Sequence, residues 1–149
     1  MKKYELTEET VTVYGKTLYR IRAVRDFGSV KTGEFGGYIE KEENLSHFGD
    51  AWVSGDARVS GNAWVYGNAE VFNTRHFFVQ GPIGSRDGYV TFYRTKDDTV
   101  EVRCGCFSGS LQKFVNQVEE THGGSRYEKE YKLAAELAKV CIRLEGESR

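Results

Sequence analysis

Apolar residues in this chain follow three rhythms, and each predicts a different element. Up to residue 26 they alternate in VTVY and TLYRIRAV, two runs that meet at Gly15-Lys16; period-two alternation around a glycine predicts a β-hairpin. From Asp50 to Val71 they return every sixth residue, in DAWVSGDARVSGNAWVYGNAEV. After residue 76 the runs RHFFVQ, GYVTFYRT and TVEVRCGCF predict strands, with Asp97-Asp98 at a hairpin tip. Leu111, Phe114, Val115 and Val118 then fall on one helical face behind a cap at Ser108 or Ser110 and stop at HGG. Ser125 opens a longer helix whose stripe is Tyr127, Tyr131, Ala134, Ala138 and Cys141, with Leu137 and Leu144 beside it.

The six-residue word is A-x-V-x-G-[DN]. Ala51, Ala57, Ala63 and Ala69 fill its first column, Val53, Val59, Val65 and Val71 its third, and Gly49, Gly55, Gly61 and Gly67 its fifth. A helix is excluded by the spacing and by the glycines, each costing about 1 kcal/mol at a helical position. Valine favours short strands, and Gly followed by Asp or Asn supplies the corners. Repetition of strand and corner predicts a solenoid of 18-residue turns over residues 41–76, with Leu45 in the alanine column, Ala51 beneath Ala69 and Phe48 beneath Tyr66. His47 and Lys41 depart from the aliphatic column.

On Val53 with Ala57, Val59 with Ala63 and Val65 with Ala69, the chain resembles the hexapeptide-repeat, left-handed β-helix proteins. More broadly, residues 18–57 and the tail GSRDGYVTFYRTKDDTVEVRCGCFSG onward resemble small hexapeptide-repeat proteins of bacteriophages and prophages. The resemblance implies a mainly β fold with some α: a short left-handed parallel β-helix of about two turns, capped by an N-terminal β-hairpin and a C-terminal β-β-α-α module. The expected divisions are 1–40 for the hairpin and the segment leading from it, 41–76 for the repeat, and 77–149 for the strand-and-two-helix module. The resemblance also implies a homotrimer, in which the outward aromatics Phe48, Trp52, Trp64, Tyr66 and Phe72 lie between subunits. It further implies a phage accessory protein.

Composition narrows the function classes. The chain has 149 residues, 39% hydrophobic, with 21 Lys and Arg against 22 Asp and Glu. That balance lacks the positive field of a generic nucleic-acid binder. No apolar run is long enough for a signal peptide or a membrane span, so the expectation is a cytoplasmic protein. Cys104, Cys106 and Cys141 are odd in number, which suits reduced thiols.

Four chemistries present themselves. Hexapeptide acyltransferases, by resemblance, use a histidine base in a cleft between solenoids, for which His47 and His76 are available; two turns make a short wall for a long thioester cofactor. Cys106 precedes a helix cap and His122 ends that helix, the residue types of a cysteine-dependent hydrolase, but a 12-residue helix is about 18 Å long and separates them. Cys104, Cys106 and His122 fall short of a four-ligand zinc set, so no metal and no cofactor is expected. In GPIGSRDGYVTFYR, Gly84, Ser85 and Arg86 precede a strand bearing Thr91, Tyr93 and Arg94. A glycine turn with hydroxyls and a guanidinium suits an anion, Arg103 adds charge, and Phe107 can stack on a base. The expected function is therefore a non-catalytic counter-defence protein, a homo-oligomer that sequesters a small anionic nucleotide-like signal or a host defence protein. A shortened acyltransferase or a cysteine-dependent hydrolase is the alternative.

Overall fold

The four corner glycines of the repeat, Gly49, Gly55, Gly61 and Gly67, all hold φ between +60° and +69°, where a side chain is strained. Each therefore turns the chain sharply and sends the next Ala-x-Val inward. A computed structural model of the chain describes residues 2–146. It divides into two compact units, Met1–Thr74 and Arg75–Arg149.

In the first unit, β1 (Tyr4–Val13) and β2 (Lys16–Ala23) form an antiparallel hairpin about Tyr14 and Gly15. β2 pairs antiparallel with β3 (Phe35–Ile39), and β3 pairs in parallel with β5 (Arg58–Val59). β4 (Trp52–Val53) pairs in parallel with β6 (Glu70–Val71). The alanine and valine columns from Ala51 to Val71 are buried throughout.

The left-handed parallel β-helix expected over 41–76 is not what the chain builds. Its principal sheet, β1-β2-β3-β5, is mixed, and the named strands of the repeat are only two residues long. A second departure lies in the register. Ile39, Leu45 and Val53, all fully buried, stand opposite Val59, Val65 and Val71. Leu45 thus belongs to the valine column rather than the alanine column, and two extra residues are accommodated between it and Gly49. Ser46 turns the chain there, its Oγ accepting the Phe48 N–H at 3.0 Å. His47 and Phe48 consequently leave the repeat's regular path.

The second unit is an antiparallel sheet of β7 (Phe77–Ile83), β8 (Gly88–Arg94), β9 (Val100–Cys104) and β10 (Phe107–Ser110), ordered β10-β9-β8-β7. TVEVRCGCF, expected as one strand, is a hairpin because Gly105 takes φ +57° and reverses the chain. The expected β-β-α-α module therefore carries four strands. α1 (Leu111–His122) starts at Ser110, whose Oγ accepts the Lys113 N–H at 3.2 Å. α2 (Arg126–Cys141) follows after Gly123-Gly124-Ser125. Val90, Phe92 and Val102 of one sheet face pack with Phe114, Val118, Ala134, Ala135, Ala138 and Ile142. Leu137, expected beside the buried stripe, is instead exposed, together with Leu133 and Val140.

Candidate functional site

Asn44 organises an open concavity of the first unit. It ends a 3₁₀ turn, Glu42–Asn44, and is fully buried. Its Nδ2 donates to the carbonyls of Gly61 at 3.1 Å and Ala63 at 2.9 Å, while its Oδ1 accepts the Lys41 N–H at 3.1 Å. Glu40 Oε1 accepts the Gly61 N–H at 2.8 Å. Two chain segments are thereby pinned together as walls of an open groove of about 390 Å³, lined by Lys41, Glu42, Glu43, Gly61, Asn62, Ala63 and Trp64. That volume falls in the range of small-ligand and side-chain sites.

The groove combines an aromatic wall with two carboxylates, Glu42 and Glu43, and one ammonium, Lys41, so its charged lining is net negative. Trp64 is 37% exposed and meets Tyr66 edge-on at 5.7 Å. Glu42 is held from behind: His47 Nε2 approaches Oε1 at 2.8 Å and Lys2 Nζ approaches Oε2 at 3.2 Å. The His47 contact, then that of Lys2, keeps the Glu42 carboxyl below the usual carboxylate range. Among the described residues Glu43 makes no hydrogen bond or ion pair, which leaves its carboxylate for a ligand. An aromatic face and a carboxylate in one groove suit an ammonium or guanidinium group, by cation–π attraction and ion pairing together. The KEEN break in the hexad pattern was the signal for this groove; its pairing with Trp64 was not legible in the sequence.

Behind the groove lies a network that immobilises the histidine expected as a base. The Lys3 N–H donates to His47 Nδ1 at 3.0 Å, so Nε2 carries the proton and donates to Glu42. Tyr4 stacks on the imidazole at 4.1 Å, and its Oη donates to the Leu45 carbonyl at 2.7 Å. Both ring nitrogens are occupied. Lys3 is buried, with Nζ 2.5 Å from the Ala51 carbonyl and 4.7 Å from the Phe27 ring centroid. Burial, with Arg25 nearby, brings its pKa down to about 8.

Of the residues expected to bind an anion, Thr91, Tyr93 and Arg103 share one sheet face of the second unit and the others lie elsewhere in it. Gly84 is at the β7–β8 turn, and its N–H donates to Glu130 Oε1 at 2.7 Å, so a carboxylate already occupies the amide meant for an anion. Ser85 and Arg86 are exposed in that turn. Thr91 and Tyr93 are buried on the β8 face opposite Val90 and Phe92, and Arg103 stands across from Thr91 on β9. Arg94 is buried at the far end of β8, its Nε donating to Asp98 Oδ1 at 2.8 Å. Phe107 is committed to packing on Phe114, at 5.6 Å between ring centroids.

The other candidates are equally specific in placement. Trp52, expected outward, is buried against Phe27 at 5.2 Å, because β3 and the Phe27–Val30 bridge lie over that side of the repeat. Phe48 is 76% exposed and Phe72 partly exposed. Cys106 is exposed, Cys104 half-buried with its thiol pKa pushed up by burial, and His122 lies against Tyr131 at 5.5 Å and Tyr127 at 5.9 Å. Among the described residues no three His, Cys, Asp or Glu side chains gather as a metal site. No helix among them is long and apolar enough to cross a membrane. Neither a family model nor a curated protein matches this chain.

Proposed function

We propose that this protein is a non-catalytic binding protein that captures a basic segment of a target protein in the groove between Glu43 and Trp64. The carrying observation is the union of an accessible indole and an uncommitted carboxylate in walls that Asn44 locks together. A preformed groove loses little entropy on binding, so modest contacts translate into affinity. The bacteriophage resemblance supports a host defence protein as the target and a counter-defence role. The reduced Cys104, Cys106 and Cys141 thiols accord with action in the cytoplasm. Capture of a nucleotide-like signal draws less support, since the Gly84 N–H already faces the Glu130 carboxylate and Arg94 already pairs with Asp98.

The test is a fluorescence titration in a Trp52→Phe background, where Trp64 is the single indole. An arginine-rich peptide should change Trp64 emission saturably, and Glu43→Gln should weaken binding about tenfold, the equivalent of one lost ion pair of ~1.4 kcal/mol. A glutamate-rich peptide and a cyclic nucleotide should leave the emission unchanged. Saturable binding of the nucleotide with none of the basic peptide would refute the proposal.

A further inference from the structure

α2 carries two apolar faces where a helix lying on a sheet needs one. Tyr131, Ala134, Ala135 and Ala138 face the sheet and α1, as packing requires. On the other side Leu133, Leu137 and Val140 are 71%, 46% and 69% exposed. Their spacing, four and then three residues, is that of a helix–helix seam.

We infer that this outer face is a self-association surface on which two copies of the chain pair antiparallel, with their α2 helices crossing at Leu133. The choice of a second copy follows from the charges. Leu133 is flanked on the surface of α2 by Glu128, Lys129, Lys132 and Glu136. Lys129 lies four residues before Leu133 and Glu136 three after it, on the same edge of the stripe. A two-fold axis at Leu133 sets each Lys129 against the other copy's Glu136, so one patch serves as both partners of an isologous contact. Leu133 meets its own copy at the centre, and Leu137 covers the aliphatic stem of the opposing Lys129.

The existing ion pairs do not oppose this rearrangement. Glu136 is engaged by Lys139 at 3.1 Å, and Lys132 by Glu119 at 2.6 Å and Glu128 at 3.1 Å, all on the surface and at least partly exposed. Surface pairs of that kind contribute about 1 kcal/mol or less. Lys132 can keep both of its acids while Leu133 is covered. With only Leu133, Leu137 and Val140 as apolar anchors, the pairing makes a micromolar dimer rather than a permanent one.

Sedimentation velocity on the full chain, at concentrations rising through the micromolar range, tests the inference. The wild type should pass from monomer to dimer, and Leu133→Glu should stay monomeric with unchanged circular dichroism. Lys129→Glu and Glu136→Lys should each weaken the dimer at least tenfold by opposing like charges, and the double exchange should restore it. Both outcomes are independent of the Trp64 groove, whose titration reads a different surface. A wild type that stays monomeric, an oligomer that survives Leu133→Glu, or a double exchange no better than the single ones overturns the inference.

Discussion

Leu45 lies opposite Val65, twenty residues further along the chain, where an unbroken repeat would set it opposite Ala63. The two-residue offset has a local origin in the turn at Ser46–Phe48 and a consequence for the groove. It brings the 3₁₀ turn ahead of Leu45 level with the Gly61 corner, close enough for Asn44 to bridge them.

Asn44→Ala should therefore both destabilise the first unit and loosen the groove. It leaves the carbonyls of Gly61 and Ala63 buried without their donor, a loss of about 2 to 3 kcal/mol. Urea denaturation measures the loss. Thermal shift with a basic peptide should show a smaller stabilisation than in the wild type.

Gly49→Ala tests the corner geometry. Its φ of +69° disfavours any Cβ, and an added one would lie 3.1 Å from the Gly67 carbonyl oxygen of the neighbouring turn. A cost of about 1 to 2 kcal/mol is expected. An equally stable variant would mean that the corner adjusts freely.

Lys3 predicts a pH dependence with a definite sign. Its folded pKa, about 8, lies below its ordinary value of 10.5, so between these the unfolded chain binds the additional proton and stability rises with pH. The gain should reach up to about 2 kcal/mol from pH 8 to 10 and be absent below pH 7.5. Above pH 10 it is opposed by Tyr4, whose folded pKa is raised by burial and by Glu42, so ionisation of the unfolded chain favours unfolding. Lys3→Met should flatten the slope below pH 10, as read by denaturation at fixed pH values.

Asp98 acts at the acid end. Its carboxyl accepts the Glu145 and Gly146 amides, each at 2.8 Å, and Arg94 Nε at 2.8 Å; the Glu145 amide contributes most to lowering its pKa to about 2. Its stabilisation is present above pH 3.8 and is lost as pH falls toward 2. Asp98→Asn should lower the melting temperature at pH 7 and narrow the difference between pH 5 and pH 2.5. An unchanged acid profile would show that these contacts contribute nothing to folding.

Much of the local structure was written in neighbouring residues. Alternation set two strands meeting at Gly15-Lys16, one residue from the observed turn at Tyr14-Gly15; of the two serines offered as the cap of α1, Ser108 and Ser110, the second is used; and the repeated Gly-Asp and Gly-Asn pairs marked corners. These depend on backbone preference and on side-chain period, which act over a few residues. Leu137 shows where such reasoning ends: beside Ala138 on a helical wheel it looks half-buried, yet α2 is rotated so that it faces outward. Gly105 likewise turned an apparent single strand into two and sent Phe107 to the helices.

By itself the sequence determined the glycine corners of the repeat, the inward alanine and valine columns and the neighbourhood in which each helix begins, because those are properties of short segments. Tertiary structure alone decided the mixed sheet in place of a parallel coil, the burial of Trp52 and the engagement of Gly84 by Glu130. Each joins segments far apart along the chain, and no local preference specifies which distant partner offers the tighter packing or the better hydrogen bond. The Asn44 bridge, with the groove it shapes, arose at that level too.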